Sequence, residues 1–356
     1  MTPQIKTVAV AMSGGVDSSV AAALLIEQGY DVFGVMLRLW SAGPETSNRC
    51  CSPEDVALAE QVASQLDIPF HTLDVKDLFK QEIVDSFIDG YAQGETPNPC
   101  MRCNRIIRWG FLLESVLGMG ASHLATGHYA RIRHNVDRYH LFRAKDKNKD
   151  QTYVLSVLQQ HQLARTIFPL GDIKKNRVRE QAAKFNLPIA NRAESQDLCF
   201  VGDQDYREFL SDKGIQLSPP GPILDEKGKI LGQHSGLANY TIGQRKGIGV
   251  SKSVPLYVLN KNMRDNVLIV GPKDRLGRTS FNIGQSNWIS GSPPKSGNTL
   301  LVRVRYKAEE VGATLRAFDH AHAEIQLLKP LPDVTPGQYA VFYEREECLG
   351  GGIILP

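Results

Sequence analysis

Apolar positions in the first third of the chain fall into short runs with helical spacing between them. Val8-Ala9-Val10-Ala11-Met12 is an unbroken apolar run, of the length of a buried strand and too short for a helix. Val16 to Gln28 then carries apolar residues at helical spacing and closes at Gly29, which predicts a helix. Asp31 to Trp40 reads as a second strand, Pro53 to Leu66 as a helix with proline near its start, and Phe70 to Val75 as a third strand. Lys76 to Phe87 and Arg105 to Leu117 read as helices, and His123 to Thr126 as a strand ending at Gly127. Strands alternating with helices predict an α/β fold: a doubly wound parallel sheet that takes ligands beyond the carboxyl ends of its strands. On that edge lie the loop after Met12, the end of the second strand near Leu37, and Thr126-Gly127-His128.

Past residue 130 the pattern changes twice. Arg131 to Gln151 reads as a basic loop, followed by helical stretches at Val154 to Leu163 and Arg177 to Phe185. Pro219-Pro220-Gly221-Pro222 breaks the chain, and Ile223 to Leu231 resembles a hairpin turning at Asp225 to Gly228. Toward the end, Val302, Val304 and Tyr306 alternate with Arg303 and Arg305, and Ala323, Ile325 and Leu327 with Glu324 and Gln326. Alternation of period two is the pattern of an antiparallel barrel or sandwich, of which the barrel is expected here. The expected organisation is a catalytic domain over residues 1–208, a small middle domain over 209–278 and a β-barrel over 279–356.

Composition adds one asymmetry. The 356 residues carry a net charge of only +3, with 42% hydrophobic residues, as in ordinary globular proteins. Residues 1–100 hold 5 Lys/Arg against 14 Asp/Glu, whereas residues 101–150 hold 10 against 4. A basic field that begins beside Cys103 suits a polyanionic partner, although a solvated face is its commoner meaning. Neither a membrane span nor a secretory leader is apparent, so a cytoplasmic location is expected.

Chemistry concentrates in two places. Ser13-Gly14-Gly15-Val16-Asp17-Ser18-Ser19 joins the first strand to the first helix. Free N–H groups and a helix dipole there favour an anion, glycines let a phosphate approach the backbone, and Asp17 is placed to hold magnesium. No Gly-Lys-Ser/Thr closes the loop, and it is not Gly-x-Gly-x-x-Gly. It resembles the PP-loop of ATP pyrophosphatases.

The second place is Thr96-Pro97-Asn98-Pro99-Cys100-Met101-Arg102-Cys103-Asn104. A helix from Arg105 would put Cys103 at its N-terminus, where the dipole and Arg102 favour thiolate. The spacing alone leaves a thioredoxin-like dithiol open; zinc lacks a second ligand pair. Cys199 lies in Ser195-Gln196-Asp197-Leu198-Cys199-Phe200, whereas Cys50, Cys51 and Cys348 read as structural cysteines.

Taken together with Ala125-Thr126-Gly127-His128-Tyr129, Lys149-Asp150-Gln151, Gly243-Gln244-Arg245-Lys246-Gly247 and Cys348-Leu349-Gly350-Gly351-Gly352, these motifs resemble the tRNA-specific 2-thiouridylases, the MnmA family. The resemblance implies ATP-dependent 2-thiolation of the wobble uridine of tRNA, with a cysteine desulfurase, a relay protein or sulfide as sulfur donor. It implies that Ala11, Met12, Ser13, Gly14, Gly15, Val16, Asp17, Ser18, Leu37 and Gly127 bind ATP. Cys103 would be the nucleophile and Cys199 the persulfide carrier. Asn98, Pro99, Cys100, His128, Lys149, Asp150, Gln151, Arg305, Tyr306 and Gln338 would contact tRNA. Many family members have Asp at the position of Cys100, so a second route stays open, in which Cys100, Cys103 and Cys199 ligate a [4Fe-4S] cluster that carries hydrosulfide. Two rivals also remain: an ATP pyrophosphatase that amidates a small molecule, and a non-enzymatic RNA-binding or sulfur-relay protein.

Overall fold

The computed structural model describes residues 6–40, 52–190, 192, 198–202, 205–212, 219–250, 254–295, 297–319, 321–332 and 334–356. Cys50, Cys51 and Ser195-Gln196-Asp197 lie outside the described residues. The first domain is built on β1 (Thr7–Ala11), α1 (Val16–Glu27), β2 (Asp31–Arg38), α2 (Pro53–Gln65) and β3 (Phe70–Asp74). Ser52 caps α2 in a capping box with Asp55, and Pro53 occupies the first turn, where a missing N–H costs nothing.

Helices α3 (Lys76–Phe79) and α4 (Ser86–Ala92) are joined through a π-helical stretch, Lys80–Asp85. Next come α5 (Pro99–Cys103), a second π-helical stretch over Asn104–Leu112, α6 (Leu113–Gly118) and β4 (His123–Thr126). The expected helix from Arg105 therefore starts earlier: Pro99 occupies its first turn, and the Asn98 side chain caps it by accepting from the Met101 N–H.

Residues 131–151 contain a hairpin where a loop was expected. β5 (Ala130–His134) and β6 (Tyr139–Arg143) pair antiparallel, and the Asn135 side chain accepts from the Asp137 and Arg138 N–H groups in the turn. Arginines and histidines interleaved along both strands hide the alternation, of which fully buried Leu141 is the clearest trace. Short helices α7 (Thr152–Leu155) and α8 (Gln160–Leu163), β7 (Thr166–Ile167), α9 (Lys175–Lys184) and α10 (Tyr206–Asp212) follow. The sheet order is β3-β2-β1-β4-β7, all parallel. Its direction of winding reverses between β1 and β4, so a crevice opens there at the carboxyl edge.

The middle domain is a four-stranded sheet of β8 (Gly221–Asp225), β9 (Ile230–His234), β10 (Tyr257–Asn262) and β11 (Val267–Gly271) around Ile223, Leu237, Val258, Leu268 and Val270. The last domain comprises β12 (Arg278–Trp288), β13 (Leu300–Arg303), β14 (Val311–Phe318), β15 (Ala323–Leu331), β16 (Tyr339–Glu344) and β17 (Glu347–Ile354). They run β12-β15-β14-β13-β16-β17, and pairing of β12 with β17 closes the barrel. β17 also pairs with β6, which continues the barrel sheet into the hairpin of the first domain. Val302, Val304, Ala323, Ile325 and Leu327 fill the barrel, whereas Tyr306 lies beyond the end of β13 and is 38% exposed.

Candidate functional site

The Ser-Gly-Gly loop sits at the crevice. Gly14 has φ +67°, a left-handed conformation that glycine adopts without steric cost, and a Cβ there would stand 2.7 Å from the Asp55 carbonyl oxygen. A Cβ on Gly127 would stand 2.7 Å from the Ser18 nitrogen, so the loop after β4 lies directly on the start of α1. Within the loop, the Ser13 N–H donates to the Ser18 hydroxyl, and the Ser18 and Ser19 hydroxyls donate to the Gly15 carbonyl. Those hydroxyls hold the loop's shape. Met12 and Val16 are buried, so their side chains belong to the core and only their backbone can face a ligand. Ala11 pairs with Val35 on β2 and with Thr126 on β4, and Leu37 lies further along β2 in the same direction.

Asp17, expected to hold magnesium, faces a cation of the protein itself. Lys175, at the start of α9, places its ammonium 2.6 and 2.7 Å from the two carboxylate oxygens, and the Tyr129 hydroxyl donates to Oδ1 at 2.8 Å. The lysine side chain is only 8% exposed. A second basic residue, Arg192, donates to the Gly14 carbonyl oxygen at 2.8 Å and pairs with Asp55. Sequence reasoning missed both, because each lies far along the chain from the loop, Lys175 in a basic stretch and Arg192 as a lone basic residue outside any motif.

The three candidate cysteines divide. Cys103 and Cys199 both border one apolar cluster of Phe79, Ile83, Phe87, Ile107, Phe200 and Phe209, which Leu37 and Trp40 also border. Phe200, packed edge-on against Phe79, Phe87 and Phe209, fixes the turn that carries Cys199. Cys100 is exposed and lies by Tyr306, whose phenol pKa is raised by burial above all, with the negative charges of Asp150 and Cys100 adding. Because α5 begins at Pro99, its N-terminal turn holds Cys100 and not Cys103. Among the described residues no group of three or more His, Cys, Asp or Glu is gathered to hold a metal ion, and all three cysteines are described.

Several expected tRNA contacts converge on the segment before Cys100. The Thr96 N–H donates to the Pro336 carbonyl, and the Gln338 amide donates to the Thr96 carbonyl at 2.7 Å. Arg305 donates to the Ile242 carbonyl and to the Thr335 hydroxyl, bridging barrel and middle domain. Pro99 is buried, and half-buried Asn98 faces the Tyr153 phenol. The Tyr306 hydroxyl donates to the Asp150 carbonyl at 3.3 Å, and the Tyr129 N–H donates to Gln151 Oε1. Lys149 lies half-buried on a turn, its N–H bonded to the Asp146 carbonyl.

Two of these residues point inward. Asp150 is buried, accepts from the Ala144 N–H and the Thr152 hydroxyl, and stands 4.0 Å from Arg303. His128 is 8% exposed, with Nδ1 2.8 Å from Thr126 Oγ1 and Nε2 3.1 Å from the Arg108 guanidinium. Burial, then the Arg108 charge, pushes its pKa well below the ordinary range, so the ring is neutral and accepts at Nε2. Both are held by internal hydrogen bonds as placed.

Cys348 is fully buried in strand β17, and burial lifts its thiol from 9.0 to about 12. The neutral form is therefore favoured by the fold, a contribution fully present below pH ~9 and lost as pH climbs toward ~12. Urea melts should show stability falling through that window in wild type, with a smaller fall in Cys348→Ala. Alkylation of the native protein near pH 8, read by mass spectrometry, should label Cys100 and spare Cys348.

A small-residue loop between a strand and a helix at the switch point of a parallel sheet is the arrangement of an α/β nucleotide-binding enzyme. The family described as "tRNA methyl transferase HUP domain" matches residues 6–203, "tRNA methyl transferase PRC-barrel domain" matches 207–272, and "Aminomethyltransferase beta-barrel domain" matches 278–354. The chain is 45% identical to the tRNA-specific 2-thiouridylase MnmA of Moorella thermoacetica over 97% of its own length and 98% of that protein's. It is 43% identical to the MnmA of Magnetococcus marinus, over 99% of both chains. The chain belongs to the MnmA family of tRNA-specific 2-thiouridylases. No helix among the described residues is long and apolar enough to cross a membrane.

Proposed function

We propose that the chain activates the C2 oxygen of the wobble uridine of tRNA with ATP and replaces it by sulfur through a persulfide on Cys199. The observation that carries this reading is that Cys103 and Cys199, far apart in sequence, border one cluster together with Leu37 at the end of β2. The uracil oxygen is a poor leaving group as it stands. Its attack on the α-phosphorus of ATP expels pyrophosphate toward the Ser-Gly-Gly loop, whose fixed N–H dipoles favour the charge that develops. Magnesium would arrive on the phosphates of ATP and neutralise their charge, while Asp17 is held by Lys175 and Tyr129 at the edge of the loop.

The terminal sulfur of the Cys199 persulfide then adds to C2, and AMP departs with the former uracil oxygen. The Cys103 thiolate attacks the inner sulfur of Cys199, which breaks the S–S bond to the tRNA, leaves the thiocarbonyl and forms a Cys103–Cys199 disulfide. A dithiol reductant resets the pair, and a cysteine desulfurase or a relay protein reloads Cys199 by passing on the outer sulfur of its own persulfide; sulfide reloads it instead by attacking the Cys103–Cys199 disulfide at Cys199, which leaves a persulfide there and frees the Cys103 thiol. Wobble bases lie in a single-stranded loop and can be splayed out at modest cost. Asn98, Cys100, Gln151, Arg305, Tyr306 and Gln338 are the residues assigned to hold the tRNA around such a base.

Incubation of unmodified tRNA with the protein, ATP, magnesium and a persulfide donor, followed by mass analysis of its nucleosides, tests the reading. ATP-dependent 2-thiouridine is expected. AMP and pyrophosphate formed with ammonia and a small acceptor, in a reaction that tRNA does not stimulate, would favour the amidating alternative and overturn it.

A further inference from the structure

We propose that Arg192 is a positioning residue of the phosphate cradle, which locks the Gly14–Gly15 peptide plane so that the Gly15 N–H is aimed at the pyrophosphate group. The inference rests on the reading of the Ser-Gly-Gly loop as an ATP site and names one residue that makes it work. In a planar trans peptide the C=O of one residue and the N–H of the next point in opposite directions. The Arg192 guanidinium donates at 2.8 Å to the Gly14 carbonyl oxygen, so the N–H of Gly15 is directed away from the arginine. Gly15 is the N-cap of α1, with φ −97° and ψ 162°, so this N–H lies at the positive end of the helix.

Such a lock is needed because a peptide between two glycines meets little steric resistance to rotation. A flipped plane would present a carbonyl oxygen to the phosphates in place of a donor. The arginine is itself held. Its second guanidinium nitrogen pairs with the Asp55 carboxylate, which is 2% exposed and also accepts from the Ser52 N–H at the start of α2. Gly14 has no room to move, since a Cβ on it would stand 2.7 Å from the Asp55 carbonyl and 3.2 Å from the guanidinium. Arg192 thus ties the loop to the first turn of α2 through two charge-assisted bonds, an arrangement that a lysine with one ammonium would not reproduce.

The test is the binding of inorganic pyrophosphate and of AMP, each measured by calorimetry on wild type and on Arg192→Ala, with thermal melts alongside. Loss of one donor to an anion predicts pyrophosphate affinity weakened about tenfold. AMP affinity should stay within about twofold, because the adenylate lies outside the glycine cradle. Should Arg192→Ala lose its fold, Arg192→Gln carries the measurement, since its amide is too short to serve both partners and the same selective loss is expected. Unchanged pyrophosphate affinity in the folded variant, or a loss shared equally by AMP, would overturn the role of Arg192. Failure of the wild type to bind pyrophosphate at all would instead overturn the reading of the loop.

Discussion

Cys199→Ser and Cys103→Ser are each expected to lower tRNA thiolation by about three orders of magnitude or more while leaving ATP affinity within about twofold of wild type. The two losses should differ in kind. Without Cys199 there is no carrier for the sulfane sulfur, so AMP is formed slowly or not at all beyond one turnover. Without Cys103 the sulfur still reaches C2, but nothing cleaves the S–S bond, and tRNA should accumulate as a mixed disulfide with Cys199. A denaturing gel would show that adduct, and a thiol reductant should release it. Cys100→Ser should cost less than about tenfold, because the persulfide route uses only the Cys199 and Cys103 thiols. A Cys100 variant as inactive as the other two, with no adduct in Cys103→Ser, would point to three thiols acting as a unit.

Lys175→Met is the second substitution with a large expected effect. It removes the ammonium that lies 2.6 Å from Asp17 and is itself 8% exposed, leaving a carboxylate at the floor of the cradle with only the Tyr129 hydroxyl and water. Breaking a fully buried pair costs about 3–5 kcal/mol, and the partial exposure of Asp17 lowers the expected loss to about 2 kcal/mol. An unneutralised carboxylate beside incoming phosphates should also raise the KM for ATP at least about tenfold. Combining Lys175→Met with Asp17→Asn should recover most of the stability and none of the activity. Denaturant melts and initial rates on the four proteins of that cycle separate the two effects. Equal stability of Lys175→Met and wild type would show that the pair contributes nothing to the fold.

The phosphate loop was legible because its parts are contiguous: strand, small residues and helix follow one another within a single stretch. Residues that complete it were not, since Lys175 and Arg192 acquire their roles only when α9 and the segment after it fold back over α1 and α2. The β5–β6 hairpin was hidden because basic residues interrupt the apolar alternation, and the burial of Asp150 depends on Ala144, Thr152 and Arg303 closing around it. His128, which the resemblance placed at the tRNA, is a neutral ring packed beside Trp109 and Phe168, contacts that arise only from the fold. The start of α5 carried a signal that was present and read differently. Asn98-Pro99 is a cap followed by a first-turn proline, whereas the helix was expected to begin only at Arg105. The barrel was recognisable from its period of two, but its closure through β12 and β17, and its continuation into β6, depend on pairings between distant segments.

The most direct measurement follows one oxygen atom. Unmodified tRNA carrying oxygen-18 at C2 of the wobble uridine would be thiolated in a single turnover with ATP, and the AMP recovered for mass analysis. Adenylation at that oxygen followed by sulfur attack at C2 predicts one heavy oxygen in AMP for each 2-thiouridine formed. Thiolated tRNA accompanied by unlabelled AMP would contradict it.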